Sequence, residues 1–162
     1  MFEKRMSDSK LTVIRTSKNN SGQIYDLERR IFMANECFSR SQLRYLTSSP
    51  NASFFLLRDS NSSVGFGIAL RNKLRNGQYR GRIYSIGVLP AYRSMGAGKL
   101  LLDAMEKYLI KSNVSFIVLE TLKGKGGAEI FFARHGYIES KFLPEYYPYG
   151  DAVRMRKSVS SG

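Results

Sequence analysis

The first fifty residues combine one strand-like segment with two helix-like segments. Leu11 to Arg15 alternates between apolar and polar residues and predicts a short strand. Ser21 to Phe38 predicts a helix, because its apolar residues recur at helical spacing, namely Ile24, Leu27, Ile31 and Phe32. A second short helix is expected to begin near Ser39 or Ser41, since either serine is a suitable N-cap.

From Ser53 onward the hydrophobic pattern changes to that of strands. Three strands are predicted, Phe54 to Leu57, Val64 to Leu70 and Arg82 to Val88, and the stretch between the last two is polar. A helix follows from about Gly96 to Ile110. Its expected buried face consists of Leu100, Leu101, Ala104, Met105 and Tyr108.

The C-terminal part alternates strand, helix and strand. The predicted elements are a strand at Phe116 to Leu119, a helix at Ala128 to His135 ended by Gly136, and strands at Tyr137 to Glu139 and Ala152 to Met155. This order predicts a mixed α/β (α+β) fold, in which an antiparallel meander precedes a strand–helix–strand–helix unit. We expect one domain over residues 11–157, with flexible tails at 1–10 and 158–162.

Charge adds the first indication of function. The 162 residues include 26 Lys and Arg against 13 Asp and Glu, a net charge of +13. Such an excess predicts an anionic partner, either a nucleic acid, an acidic membrane, an acidic protein surface or a phosphorylated cofactor. The stretch from Ser60 to Leu102 contains no acidic residue at all.

Cysteine and histidine content narrows the class of protein. Cys37 is the single cysteine and His135 the single histidine, which excludes an intramolecular disulfide framework and the usual zinc sites. The N-terminus lacks the apolar core of a signal peptide, and no apolar run approaches the roughly 18 residues that span a bilayer. We therefore expect a cytoplasmic protein with no metal and no membrane association.

The segment from Val88 to Lys99 passes directly from a predicted strand into a predicted helix. Gly96 and Gly98 let backbone amides converge at the helix start without obstruction by a Cβ atom. Arg93 and Lys99 flank these amides. A helix N-terminus with open amides and adjacent cations is a suitable pyrophosphate site.

Three phosphate-binding motifs compete for this segment. A Walker-type loop fails because Leu100 follows Gly98-Lys99 and Ser94 stands at the upstream glycine position. A dinucleotide fingerprint fails because Leu101 replaces its third glycine. The pattern Arg-x-x-Gly-x-Gly, preceded by a strand end of the form Val-x-Pro-x-Tyr, matches at every position.

In this context the sequence resembles the GNAT acetyltransferase superfamily, over roughly Leu11 to Lys157. It is most similar to the bacterial ribosomal-protein alanine N-acetyltransferases and related N-terminal acetyltransferases. The supporting segments are Glu36 to Ser39, Val118 to Glu120 and Glu145 to Ala152. The resemblance implies a GNAT fold, with a mixed central sheet of about six to seven strands and about four helices on both faces.

The resemblance also implies acetyl-CoA as cosubstrate and transfer of its acetyl group to a primary amine, expected to be a protein or peptide N-terminus. Backbone groups of Ile86, Gly87 and Val88 would contact the pantetheine arm and the acetyl group. The pyrophosphate would be bound by Arg93, Ser94, Met95, Gly96, Ala97, Gly98 and Lys99. Lys125 replaces an asparagine that touches the cofactor in relatives, and it either contacts phosphates or lies in a merely flexible loop.

For catalysis the resemblance aligns Glu120 with the general base that deprotonates the substrate ammonium; the alternative is a solvated charge at a strand end. Relatives carry a tyrosine acid twelve residues after the base, where this chain has Phe132. The proton for the thiolate would come from Tyr146, Tyr147 or Tyr137, or the thiolate leaves unprotonated, or the protein has changed in function. Tyr146 and Tyr147 are alternatively packing residues.

Two other functions stay open at the level of sequence. One is acetylation of a small-molecule amine, either a polyamine or an aminoglycoside, although cationic substrates favour acidic pockets. The other is a basic module that binds RNA or another polyanion, with vestigial acetyl transfer. The basic residues from Arg71 to Arg82 are not explained by CoA, and we expect them to steer an acidic or ribosome-associated acceptor. The oligomeric state is left open.

Overall fold

The computed structural model describes residues 10–124 and 127–159. Within these ranges the chain forms seven strands and four helices. In chain order they are β1 (Leu11–Thr16), α1 (Ser21–Ile31), α2 (Arg40–Ser48), β2 (Ala52–Asp59), β3 (Ser62–Lys73), β4 (Tyr79–Val88), α3 (Ala97–Lys111), β5 (Phe116–Leu122), α4 (Ala128–Arg134), β6 (Ile138–Tyr147) and β7 (Gly150–Ser158). Single 3-10 turns occur at Lys18–Asn20, Ala34–Glu36 and Pro90–Tyr92.

The strands form one mixed sheet in the order β1-β2-β3-β4-β5-β7-β6. β4 and β5 are parallel, whereas β7 runs antiparallel to both β5 and β6. The late strand β7 therefore inserts between β5 and β6, and β6 becomes an edge strand. The predicted mixed α/β fold, with six to seven strands and four helices, is confirmed.

The chain divides into two compact units. Of the described residues, the first unit comprises 10–69 together with Ser85–Lys107, and the second comprises Leu70–Tyr84 together with 108–124 and 127–159. The predicted limits of a single domain at 11–157, and the tails beyond them, stay predictions.

The core of the first unit is aliphatic and aromatic. Its most deeply buried side chains are Ile24, Leu46, Phe54, Leu56, Leu57, Phe66, Ile68, Leu101, Leu102 and Met105. Gly67 on β3 allows α3 to approach closely, because a Cβ atom there would lie 2.9 Å from Met105 Cε and closer still to its sulfur. Phe32 packs edge-on against Phe66, with ring centroids 6.2 Å apart.

The second unit has its own core around β5. Its buried side chains include Leu109, Ile117, Leu119, Phe132, Tyr137 and Val153. Gly81 on β4 lies beneath the end of α3, since a Cβ atom there would lie 3.0 Å from Leu109 Cδ1. Phe132 packs edge-on against Tyr137, with ring centroids 5.7 Å apart.

The prediction of a continuous helix from Ser21 to Phe38 was wrong, because α1 ends at Ile31. Phe32 is extended, and the Glu28 carboxylate accepts a hydrogen bond from the amide of Phe38 at 3.0 Å, which folds the chain back. The next helix is capped by Ser39 rather than Ser41. Its hydroxyl accepts from the Gln42 amide, and the Gln42 side chain accepts from the Ser39 amide, which is a capping box.

Other differences concern exposed positions. β3 reaches Lys73 and β4 starts at Tyr79, so much of the polar stretch is strand. β6 is ten residues long, but its side chains are mostly exposed and carry no alternating pattern. Leu100 is 40% exposed and is not part of the buried face of α3, which includes Leu102 and Leu109 beside the predicted Leu101 and Met105.

Candidate active site

The loop between β4 and α3 makes a tight turn before the helix begins. Ser94 and Gly96 both have positive φ, at 66° and 76°. A Cβ atom at Gly96 would meet no atom within 4 Å, so backbone conformation rather than space favours glycine there. The turn leads into the 15-residue helix α3, whose first amides have no acceptor within the helix. The open space at Gly96 and these amides suit an anionic group.

Two hydrogen bonds hold this loop in place within the first unit. The Tyr92 hydroxyl donates to Asp59 Oδ2 at 2.6 Å, and this bond, together with burial, raises the pKa of Tyr92. The Arg93 Nε donates to the Val88 carbonyl oxygen at 3.2 Å. Lys99 forms an exposed ion pair with Asp103 at 2.7 Å, a pair one helical turn apart that contributes little to stability.

The end of β4 is tightly packed around Gly87. A Cβ atom there would lie 3.1 Å from both Ile31 Cγ2 and Phe66 Cε1. The amide of Leu89, just past the strand, donates to the Val64 carbonyl at 2.9 Å. Ile86 is half-buried, and Gly87 and Val88 are buried. The three residues predicted to contact the pantetheine arm therefore lie on a closely packed strand end.

In the second unit, Glu120 on β5 is the centre of a charged cluster. Its side chain is only 5% exposed. Arg82 Nε donates to Oε2 and Arg154 Nε donates to Oε1, each at 3.1 Å. The same arginines reach the same oxygens through Nη2 at 3.1 and 3.0 Å. Glu120 is thus a buried, doubly paired carboxylate and not a solvated strand-end charge.

The tyrosines of the β6–β7 hairpin adjoin this cluster. The Tyr147 hydroxyl donates to the Glu120 carbonyl oxygen at 3.3 Å, and Arg82 Nη2 donates to the Tyr146 hydroxyl at 3.3 Å. The Tyr147 ring stacks on Tyr149, with centroids 5.0 Å apart and planes 7° apart. Burial, followed by the neighbouring tyrosines, raises the pKa of Tyr147 far above its ordinary value, so its phenol stays protonated.

The structure groups the predicted site residues into two sets. The loop residues 86–99 lie together in the first unit, and Glu120, Tyr146 and Tyr147 lie together in the second. Tyr137 instead packs in the core against Phe132. Lys125 lies outside the described residues.

Sequence reasoning assigned no role to Arg154 and placed Arg82 only among the basic residues expected to steer the acceptor, not beside Glu120. These partners of Glu120 are 38 and 34 residues distant from it along the chain. Only the strand register brings them together, since Arg154 lies directly opposite Glu120 across β5 and β7. The sequence signal that could have found them is a pair of arginines two residues apart on each strand beside β5. These pairs are Arg80 and Arg82 on β4, and Arg154 and Arg156 on β7.

Residues 10–124 and 127–159 contain no cluster of three or more His, Cys, Asp or Glu side chains suited to a metal ion. In the same ranges, no helix has the length and apolar character required to cross a bilayer.

A proline-ended strand, a glycine turn and a long helix, set in a seven-stranded mixed sheet, define a class of acyl-group transferases. The chain belongs to the acetyltransferase (GNAT) family, whose model matches residues 22–137. It is 39% identical over 79 residues to an uncharacterized N-acetyltransferase of Methanocaldococcus jannaschii, which covers 48% of this chain and 51% of the relative. The chain thus spans about half the length of that relative.

Two solved structures illustrate the shared fold. The ribosomal-protein-S18-alanine N-acetyltransferase of Escherichia coli superposes with a TM-score of 0.80 at 20% identity, covering 94% of this chain and 96% of that one. Arabidopsis thaliana Naa50, solved with a bisubstrate analogue, gives a TM-score of 0.78 at 21% identity, covering 92% and 99%. At these identities the likeness shows the fold.

Proposed function

We propose that this chain is an acetyl-CoA-dependent N-acetyltransferase whose acceptor is the N-terminal amine of a protein or peptide. The observation that carries the proposal is the turn at Ser94 and Gly96, which leads directly into the open amides of a 15-residue helix. A helix N-terminus attracts phosphate through its unpaired amides and its dipole. Membership of the GNAT family supports the same reading.

In this proposal the loop binds the cofactor and supplies no chemistry of its own. Backbone amides at Gly96, Ala97 and Gly98, with the side chains of Arg93 and Lys99, would hold the pyrophosphate. Ile86, Gly87 and Val88 would present backbone groups to the pantetheine arm. When bound, acetyl-CoA supplies the activated acetyl group as a thioester.

Glu120 is the proposed general base. An N-terminal amine has a pKa near 8, so a large fraction is protonated at pH 7 and must lose a proton before it attacks. Because Arg82 and Arg154 occupy both carboxylate oxygens, the proton would reach Glu120 when one arginine swings away, or through water. Tyr147, whose phenol stays protonated, is proposed to stabilise the leaving thiolate by donating a hydrogen bond; its raised pKa disfavours full transfer of the proton, and a thiolate of pKa near 8.5 can leave without it.

The arginines around Glu120 also favour a peptide over a polycation. A polyamine or aminoglycoside would approach a carboxylate already neutralised by two guanidinium groups. A peptide N-terminus carries a single positive charge and meets less repulsion.

Calorimetric titration with acetyl-CoA tests the loop. Gly96→Trp places a bulky side chain where the anion would lie and is expected to weaken acetyl-CoA binding at least about tenfold, or about 1.4 kcal/mol. The matched control is Gly77→Trp, since Gly77 also has positive φ, at 86°, and open space around it. Absence of acetyl-CoA binding by the wild-type protein would refute the proposal.

Thiol-release kinetics on peptides test the base. Glu120→Gln keeps the shape of the side chain but accepts no proton, so kcat is expected to fall about 100-fold or more, with acetyl-CoA affinity retained. Thermal melting of the variant checks that the arginine cluster still folds. An unchanged kcat would assign proton removal to another group.

A further inference from the structure

The second unit presents a row of arginines beside Glu120. Arg80 and Arg82 on β4 lie opposite Phe116 and Val118 on β5, and Val118 lies opposite Arg156 on β7. Cross-strand partners project from the same face of a sheet, and residues two apart on a strand share that face. Arg80, Arg82, Arg154 and Arg156 therefore share one face, which we call the arginine face.

The positive charge of this face is only partly neutralised. β4 contains no acidic residue, and Glu120 is the one acidic residue of β5. Glu120 pairs with Arg82 and Arg154. Among the described residues, no ion pair involves Arg80 or Arg156, and the buried Nε of Arg80 has no hydrogen-bond partner. The face thus carries an excess of positive charge, and it includes an N–H donor, the Arg80 Nε, that makes no hydrogen bond.

Aromatic rings orient two of these guanidinium groups. Arg156 lies 3.8 Å above the centroid of Phe116, and Arg82 lies 5.4 Å from that of Tyr84. A guanidinium stacked on a ring keeps its N–H groups free at the edge, where they match the two oxygens of a carboxylate. Arg156 is also exposed to solvent.

We propose that the arginine face binds an acidic side chain of the acceptor polypeptide, at the third or fourth residue from its N-terminus. The proposal rests on the function proposed above, because the residues of the acceptor are counted from an N-terminal amine that lies at Glu120. Arg156 is two residues from Arg154 along β7, a distance of about 7 Å. An extended peptide advances about 3.3 Å per residue, so its third residue reaches Arg156 when its amine is at Glu120.

The same face is less suited to nucleic acid. Single-stranded RNA binds to such sheets by stacking bases on aromatic rings. Here the guanidinium of Arg156 covers Phe116. The four arginines lie on two strands separated by one, a width of about 10 Å, which fits a short peptide segment.

The test compares peptides that differ only at the third and fourth residues, carrying Glu-Glu, Gln-Gln or Lys-Lys. In thiol-release assays at low salt, the Glu-Glu peptide is expected to have a KM about tenfold below that of the Gln-Gln peptide, and the gap is expected to narrow as salt rises. Arg156→Gln is expected to bring this KM ratio close to one. Arg134→Gln, which removes an exposed arginine from α4, is the matched control and should keep the ratio.

Direct binding separates this inference from the proposed function. Fluorescence anisotropy with dye-labelled Glu-Glu and Gln-Gln peptides reports charge selectivity without acetyl transfer. Selective binding of the Glu-Glu peptide without acetyl transfer would refute the proposed activity but would support the arginine face as a binding site for acidic peptides. Equal KM values and equal binding of the two peptides would overturn the inference. Tight binding of a uridine oligomer that Arg156→Gln abolishes, with no preference among peptides, would overturn it in favour of nucleic acid.

Discussion

The carboxyl group of Glu28 makes stability depend on pH near neutrality. Glu28 lies on α1, is 1% exposed, and accepts a hydrogen bond from the Phe38 amide at 3.0 Å. Burial raises its pKa from 4.5 to about 7, although the Phe38 amide and the nearby Arg29 act in the opposite direction. The folded protein therefore holds this proton more tightly than the unfolded chain does.

The sign and size of the effect follow from linkage. Below pH 4.5 Glu28 is protonated in both states and its ionisation has no cost. As pH rises from 4.5 to about 7, the unfolded chain releases the proton first, so the free energy of unfolding falls. The pKa difference corresponds to about 3 kcal/mol, an upper limit that is reached above pH 7.

Urea denaturation of the wild-type protein and Glu28→Gln at pH 5 and pH 8.5 measures this effect. The glutamine oxygen still accepts from Phe38, so the two proteins should have similar stability at pH 5. At pH 8.5 the variant should be more stable by up to about 3 kcal/mol. Asp26→Asn, an exposed change on the same helix, is the control and should show no such pH dependence. An equal difference at both pH values, or a less stable variant at pH 8.5, would refute the reasoning.

Four further substitutions test local features by thermal or urea denaturation. Ser39→Ala removes the hydroxyl that caps α2 and should cost about 1 kcal/mol; no loss would mean that the Gln42 side chain suffices as a cap. Gly136→Ala, at φ 92°, should cost about 1 kcal/mol or more, whereas Gly22→Ala, with open space on α1, should stabilise by about 0.5 kcal/mol; equal effects would contradict the role of positive φ. Gly67→Ala should cost about 1–3 kcal/mol by displacing Met105, and a neutral result would show that this side chain moves freely.

Features that depend on neighbouring residues could be predicted from the sequence. The loop proposed to bind the cofactor is one continuous segment in which Pro90 ends a strand, Gly96 permits positive φ and apolar residues begin a helical pattern. The cap of α2 is similar, because Ser39 and Gln42 lie within one helical turn. In both cases the groups that fix the local backbone conformation lie within a few residues of one another, so a local sequence pattern is enough to predict it.

Exposed strands and pairing partners could not be predicted in the same way. β6 has few buried side chains, so its ten residues show no alternation, and its existence depends on hydrogen bonds to β7. The end of α1 depends on a bond from Phe38 to Glu28, ten residues earlier. The extent of β6 and the end of α1 therefore depend on burial and on pairing between residues distant in the sequence, and a local sequence pattern shows neither.

By itself, then, the sequence determined the turn and helix start proposed to bind pyrophosphate, because backbone conformation there is set by adjacent residues. Only the tertiary structure decided the surroundings of Glu120. It placed Arg82 and Arg154 on the two carboxylate oxygens and aligned Arg80 and Arg156 beside them. The physical reason is that strand register, set by the burial of each strand's opposite face, brings distant residues into contact.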